Sequence, residues 1–201
     1  MSQTTRFGPF EISYDEGILA PRPWTAQQSH WAAELAAAAP AGPMLELCAG
    51  AGHIGLLAIG LCPRPLICVD SSARACAYAR SNAAAAGLAD LVEVRQRRLE
   101  DALAPEERFA IVLADPPWVP SDDIGRFPED PPYSIDGGPD GLGGARSCLR
   151  VAARHLLPSA PVLLQLGARH QVTALADDLA GLRIDEVRDG EGGVLVLLRG
   201  E

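Results

Sequence analysis

The residues best suited to chemistry lie in one stretch, "FAIVLADPPWVP", at positions 109–120. Phe109 to Ala114 are apolar enough for a buried strand, and that strand ends on Asp115. Pro116 and Pro117 then fix φ and remove two amide donors, so the backbone carbonyls there face few local competitors. Acceptors without donors suit an incoming N–H. Trp118 adds a flat face on which a planar group can stack. Asp115, Pro116 and Trp118 together read as a clamp for a nitrogen nucleophile, working by alignment and local polarity rather than through a covalent enzyme intermediate. With no ligand in view, the same letters describe a proline-rich turn beside a surface tryptophan.

A second group lies upstream. "ELCAGAGHIG" sets Gly50, Gly52 and Gly55 in G-x-G-x-x-G spacing between an apolar run and a helical stretch. Glycines let backbone approach a ligand closely. Asp70, twenty residues after Gly50, ends the next apolar run. A carboxylate there can accept both hydrogen bonds of a ribose diol, so the pair points to a ribose-bearing cofactor. The glycine pattern alone also fits nicotinamide enzymes, or a bare strand-to-helix turn. Glu46, inside the first strand, separates the two cofactor classes. A buried carboxylate needs partners, which backbone amides or a ligand ammonium could supply. Nicotinamide dinucleotides have no use for an acid at this point, whereas S-adenosylmethionine carries an ammonium and a sulfonium.

These groups require a frame. Apolar runs at 43–48, 65–70, 91–95, 109–115 and 160–166 alternate with helical stretches at 53–61, 71–87, 141–156 and 169–181. Near-continuous apolar strands alternating with helices predict an α/β fold with a parallel sheet covered on both faces. "LRIDEVRDGEGGVLVLLR" predicts a closing hairpin. The expected architecture is a Rossmann-like, seven-stranded, mostly parallel sheet with one reversed strand in that C-terminal hairpin. Residues 1–24 read as a short N-terminal extension and 25–201 as one domain. Thr25 and Gln28 have capping-box spacing for the helix that follows. Residues 119–139, rich in Pro and Gly, predict a long loop without periodicity, usual for functional or disordered segments.

The chain has 201 residues, 48% of them hydrophobic, enough for one domain with a sizeable core. No apolar run is long enough to cross a bilayer, and the first residues lack the pattern of a signal peptide. A cytoplasmic protein is expected. The five cysteines form no C-x-x-C pair and read as small core residues. The four histidines are scattered, so no metal site is expected. Net charge is −9, and all 17 basic residues are arginine. That balance argues against a broad nucleic-acid footprint while leaving room for a local basic patch.

"ELCAGAG", "VD" at 69–70 and "ADPPW" resemble the class I S-adenosylmethionine-dependent methyltransferases, in the branch with an [N/D]-P-P-[F/Y/W] motif. "ILAPRPWT" (18–25) and "DGGPDGL" (136–142) are similar to segments of the protein-glutamine N5-methyltransferases that modify release factors. The resemblance runs over residues 10–200. It implies a methyltransferase that passes a methyl group from S-adenosylmethionine to a nitrogen, leaving S-adenosylhomocysteine. It implies that Glu46, Cys48, Ala49, Gly50 and Gly52 lie against the cofactor. Asp70 and Ser71 would hold the ribose, Arg98 and Leu99 the adenine, and Asp115 the reacting end. Pro21, Arg22, Thr25 and Trp118 would enclose the pocket.

The chain departs from that pattern in three ways. The family's acid near the third strand end is replaced by Arg98, which could stack on adenine; Glu100 could substitute, or the arginines could form a solvated edge. The glutamine-modifying enzymes carry Asn where this chain has Asp115, and an ionised Asp only accepts. It therefore suits an amine better than a carboxamide. About two dozen residues precede the first helix, too few for a helical docking domain, so release-factor recognition is not expected. Six acids at 122–140 face only Arg126 as counter-charge within the loop, which favours a small amine or a basic protein segment as acceptor. The other readings are methylation of RNA or DNA bases, a non-catalytic cofactor-binding subunit, and a nicotinamide oxidoreductase.

Overall fold

The computed structural model describes residues 2–200. Strands β1 (Gln3–Phe7) and β2 (Phe10–Tyr14) form a separate antiparallel hairpin. Then follow α1 (Ala26–Ala36), β3 (Met44–Leu47), α2 (His53–Leu61), β4 (Leu66–Asp70), α3 (Ala73–Ala85) and β5 (Val92–Gln96). The second half contains β6 (Ile111–Ala114), α4 (Pro132–Ile135), α5 (Gly143–His155), β7 (Pro161–Leu166), α6 (Arg169–Leu175), β8 (Leu182–Gly190) and β9 (Gly193–Gly200). The main sheet has seven strands in the order β5-β4-β3-β6-β7-β9-β8, with β9 antiparallel to both neighbours. The expected reversed strand is therefore β9, next to the edge.

Every residue of β3, β6 and β7 is buried, which requires cover on both faces. One face packs Met44, Ile111 and Leu163 against α1, α2 and α3; the other packs Leu45, Val112 and Leu164 against α5 and α6. The order of chain reversal between β3 and β6 opens a crevice at their carboxyl ends, the usual ligand position in such sheets. No helix among the described residues is long and apolar enough to cross a membrane.

Four local expectations need correction. The segment read as an extension contains a hairpin whose Phe7 and Ile12 join the core. Asn82 of α3 holds it there, accepting from Ser13 N–H at 2.8 Å and donating to Ser13 C=O at 3.0 Å. Thr25 and Gln28 form no capping box: Thr25 is in the α region and its hydroxyl donates to Arg22 C=O at 2.7 Å. Gln28 is buried instead and donates to the carbonyls of Ala114 and Leu163, pinning α1 across β6 and β7. Residues 119–139 are not structureless. They hold a 3-10 turn (Ser121–Arg126), α4 and a bridge between Val119 and Asp136. Helix α6 stops at Leu175, short of the expected 181. Ser72 caps α3, its hydroxyl accepting from Ala75 N–H at 3.2 Å.

Candidate functional site

The turn after β3 is shaped by two carboxylates. Gly50 has φ +53 and Gly52 φ +77, conformations that favour glycine. Asp70 accepts from Gly50 N–H and from Ser72 N–H, both at 2.8 Å, and so ties the turn to the end of β4. Burial raises its pKa above the ordinary value, against the pull of those amides. Glu46 accepts from Gly55 N–H at 3.0 Å and from the Cys68 thiol at 3.2 Å. A Cβ at residue 55 would run into the Glu46 carboxylate and the Leu66 side chain, so a larger residue there would displace them. Cys48, with φ +59, ends the strand with its sulfur 3.8 Å from that of Cys148. That neighbour, and then burial, push the Cys48 thiol upward.

Above this turn lies a cavity of about 420 Å³, within the size range of cofactor sites. Cys48, Ala49 and Gly50 form one wall, Asp70 and Ser71 the next. Arg97, Arg98, Leu99 and Glu100 form the third, and Asp115 with Pro117 the fourth. Nothing stands within 4 Å of where a Gly50 side chain would begin, so the glycine leaves open space there. Arg22 and Thr25 close the cavity, together with Ile18, Leu19, Tyr133 and Ser134, which sequence reasoning missed. His53 also lines it; burial lowers its pKa to about 3, so the ring is neutral, with Nε2 at 3.3 Å from the Thr25 hydroxyl.

Glu46, Gly52 and Pro21 do not line this cavity. Glu46 is 2% exposed and points at α2, so it shapes the turn from beneath. Gly52 faces Ala79 of α3, where a Cβ would come within 3.2 Å. Arg98 does reach the cavity, but its side chain is 81% exposed and lies 3.8 Å from Glu100.

A second cavity of about 210 Å³ adjoins the first. Pro116 and Trp118 line it, with Trp24, Phe127, Glu129, Asp130 and Gln165. Leu19, Arg22, Thr25, Asp115, Pro117 and Ser134 border both cavities. The Trp118 indole rests on Gly167, where a Cβ would collide with it. The Trp118 carbonyl accepts from Gln171 at 2.8 Å, and Gln171 in turn accepts from Gly167 N–H, which fixes the end of the loop. That carbonyl is therefore already engaged. Burial alone raises the Asp115 pKa to about 7.

The loop acids are paired differently from the sequence expectation. Arg22 holds Asp130 at 2.5 Å, Arg146 holds Asp140 at 2.8 Å, and Asp136 caps Ser121 and Gly138. Of the six, Glu129 and Asp130 border the second cavity.

Glu46 also gives a test of burial. Desolvation raises its pKa to about 7. A raised carboxylate pKa means the folded state binds the proton more tightly, so stability is fullest below the unfolded pKa and falls as pH rises from about 4.5 to 7. We expect Glu46→Gln to flatten that slope, by up to about 3 kcal/mol between pH 4.5 and 8. Urea midpoints at the two ends measure it; parallel curves for both proteins would remove Glu46 from the pH dependence.

The conserved hypothetical protein 95 family model matches residues 26–126. The chain is 34% identical over 194 residues to the release factor glutamine methyltransferase of Cereibacter sphaeroides, covering 91% of this chain and 66% of that protein. It is 29% identical over 202 residues to the ribosomal protein uL3 glutamine methyltransferase of Bradyrhizobium diazoefficiens, covering 92% and 61%. The chain thus spans about two thirds or less of either relative. Among solved structures, a SAM-dependent methyltransferase from Agrobacterium tumefaciens superposes with TM-score 0.67 at 15% identity, covering 99% of this chain and 70% of that one.

Proposed function

The chain belongs to the conserved hypothetical protein 95 family, and from its fold and site geometry we propose that it is an S-adenosylmethionine-dependent methyltransferase acting on a nitrogen held at the DPPW loop. One observation carries the reading: a cofactor-sized cavity and a smaller one meet at Asp115 and Pro117. Methyl transfer needs two ligands whose reacting atoms touch across a single boundary, with both positioned beforehand. The relatives named for glutamine methylation of a release factor and a ribosomal protein support transfer to nitrogen. A protein side chain or a small amine is the proposed acceptor, and the cytoplasm the proposed setting.

The residues fit the cofactor. Gly50 leaves room beside the strand end, and Asp70 keeps lone pairs for a diol beyond the two backbone amides it serves. Arg98, Leu99 and Glu100 flank the position for the adenine, while Asp115 borders the reacting end. When bound, the cofactor supplies an electrophilic methyl group on a sulfonium. Asp115 accepts an N–H of the acceptor and so aims its lone pair. Pro117, which has no N–H of its own, borders both cavities without competing for that carboxylate.

Thermal melts test the cofactor assignment. S-adenosylhomocysteine at a hundredfold excess over its Kd should raise Tm by about 5–10 °C, and NADH should leave it unchanged. Stabilisation by NADH instead would overturn the methyltransferase reading.

A further inference from the structure

The second cavity is walled in a way that selects its occupant. The Trp118 indole lies on Gly167 and the Trp24 indole on Gly192, each against backbone with no side chain between. Both rings are therefore fixed walls rather than movable covers. The Arg22 guanidinium lies 5.7 Å from the Trp24 ring centre. Phe127 adds a third ring. Aromatic faces attract cations, more so where water is excluded.

The polar lining is rich in acceptors. Asp115, Glu129 and Asp130 contribute carboxylates, and Arg22 contributes the one cation among the lining residues. Arg22 Nη2 donates to both oxygens of Asp130, at 2.5 and 2.6 Å, so its charge is already paired with a carboxylate. Among the described residues, Asp115 and Glu129 form no ion pair with a basic side chain. Gln165, 4% exposed, donates its Nε2 to Leu166 C=O at 3.0 Å, leaving its side-chain oxygen as the free end. The Thr25 hydroxyl donates to Arg22 C=O. Three carboxylates against one cation, itself paired with Asp130, leave the lining short of positive charge, which favours a cationic ligand rich in N–H donors. An ammonium brings three donors and no acceptor; a carboxamide brings an acceptor oxygen that also needs a donor.

Resting on the function proposed above, we propose that the second cavity takes an alkylamine, arriving as its ammonium, in preference to a carboxamide. The ammonium gives up one proton to a lining carboxylate or to solvent. The neutral nitrogen then forms the N–C bond as the C–S bond breaks, with that bond pair staying on sulfur. The positive charge moves from sulfur to nitrogen, so the product is a methylammonium facing the same rings and carboxylates. Across the whole reaction one proton is released.

The test offers labelled S-adenosylmethionine and three acceptors at equal concentration: n-butylamine, Nα-acetyl-lysine methylamide and Nα-acetyl-glutamine methylamide. At least one amine is expected to take label ten times faster than the glutamine compound. Equal rates for the two amines mark a free small amine as the source; a faster lysine compound marks a protein side chain. Equal or faster labelling of the glutamine compound overturns the proposal. If no compound takes label, tryptophan fluorescence of the S-adenosylhomocysteine complex decides: an amine must bind at least ten times more tightly than the glutamine compound, and otherwise the proposal falls. Glu129→Gln, at the exposed rim, should raise KM for the amine about fivefold and leave kcat unchanged, a split that loss of structure would not produce. Failure of S-adenosylhomocysteine to bind at all would instead sink the methyltransferase reading, which keeps the two failures apart.

Discussion

Asp115→Ala is expected to slow methyl transfer by about a hundred- to a thousandfold, the usual loss when one preorganised hydrogen-bonding group is removed from a reacting centre. Affinity for S-adenosylhomocysteine should change by no more than a few-fold. The asymmetry follows from position: Asp115 borders both cavities, while Asp70 and Arg98 to Glu100, the proposed seats of the diol and adenine, line the larger one alone. A variant with full turnover would take Asp115 out of the mechanism. Its pKa of about 7 adds a second signature. The carboxylate is the form that accepts an N–H, so turnover should fall as pH drops below 7, approaching tenfold per unit. Among the charged groups, Asp70 and Arg22 share the larger cavity's lining with Asp115, Glu46 feels its charge, and Arg22 is held by Asp130. Asp115→Asn should lose this acid limb. The alanine variant should also be at least as stable as the parent at pH 8, because a desolvated charge has gone.

Asp70→Ala should weaken cofactor binding by about 1.5–3 kcal/mol, or roughly ten- to 150-fold, the range for hydrogen bonds to a charged group. The same carboxylate holds Gly50 N–H and Ser72 N–H, so the variant also loses a brace on the glycine turn. A drop in Tm should accompany the loss of affinity, and titration calorimetry at a temperature where the variant stays folded separates the two. Unchanged affinity in the folded variant would place the ribose elsewhere.

Much of the frame was legible in the sequence. Strands β3, β4, β6 and β7 are apolar runs because helices cover both sides, and that pattern depends on local composition. The glycine turn, Asp70 and Asp115 were legible because each sits where a strand stops. Glu46 lies off the cavity, and strand alternation already hinted at its direction. It shares a face with Met44, whose side packs on the α1–α3 layer rather than opening at the strand end. The N-terminal hairpin escaped notice because each strand is short and half polar, and it is held by Asn82, some seventy residues away. The second cavity was legible at Arg22, Thr25, Asp115, Pro116 and Trp118. Trp24, Phe127 and Gln165 come from three distant segments, and nothing in their local sequence says that they converge.

The wall shared by the two cavities has a consequence for inhibition. Asp115 and Pro117 border both spaces, so a single molecule could join an adenosine to a cationic tail across that boundary. Such a tethered compound would lose overall translational and rotational freedom once instead of twice. It should therefore bind far more tightly than either fragment alone, with a linker whose best length reports the span between the two seats.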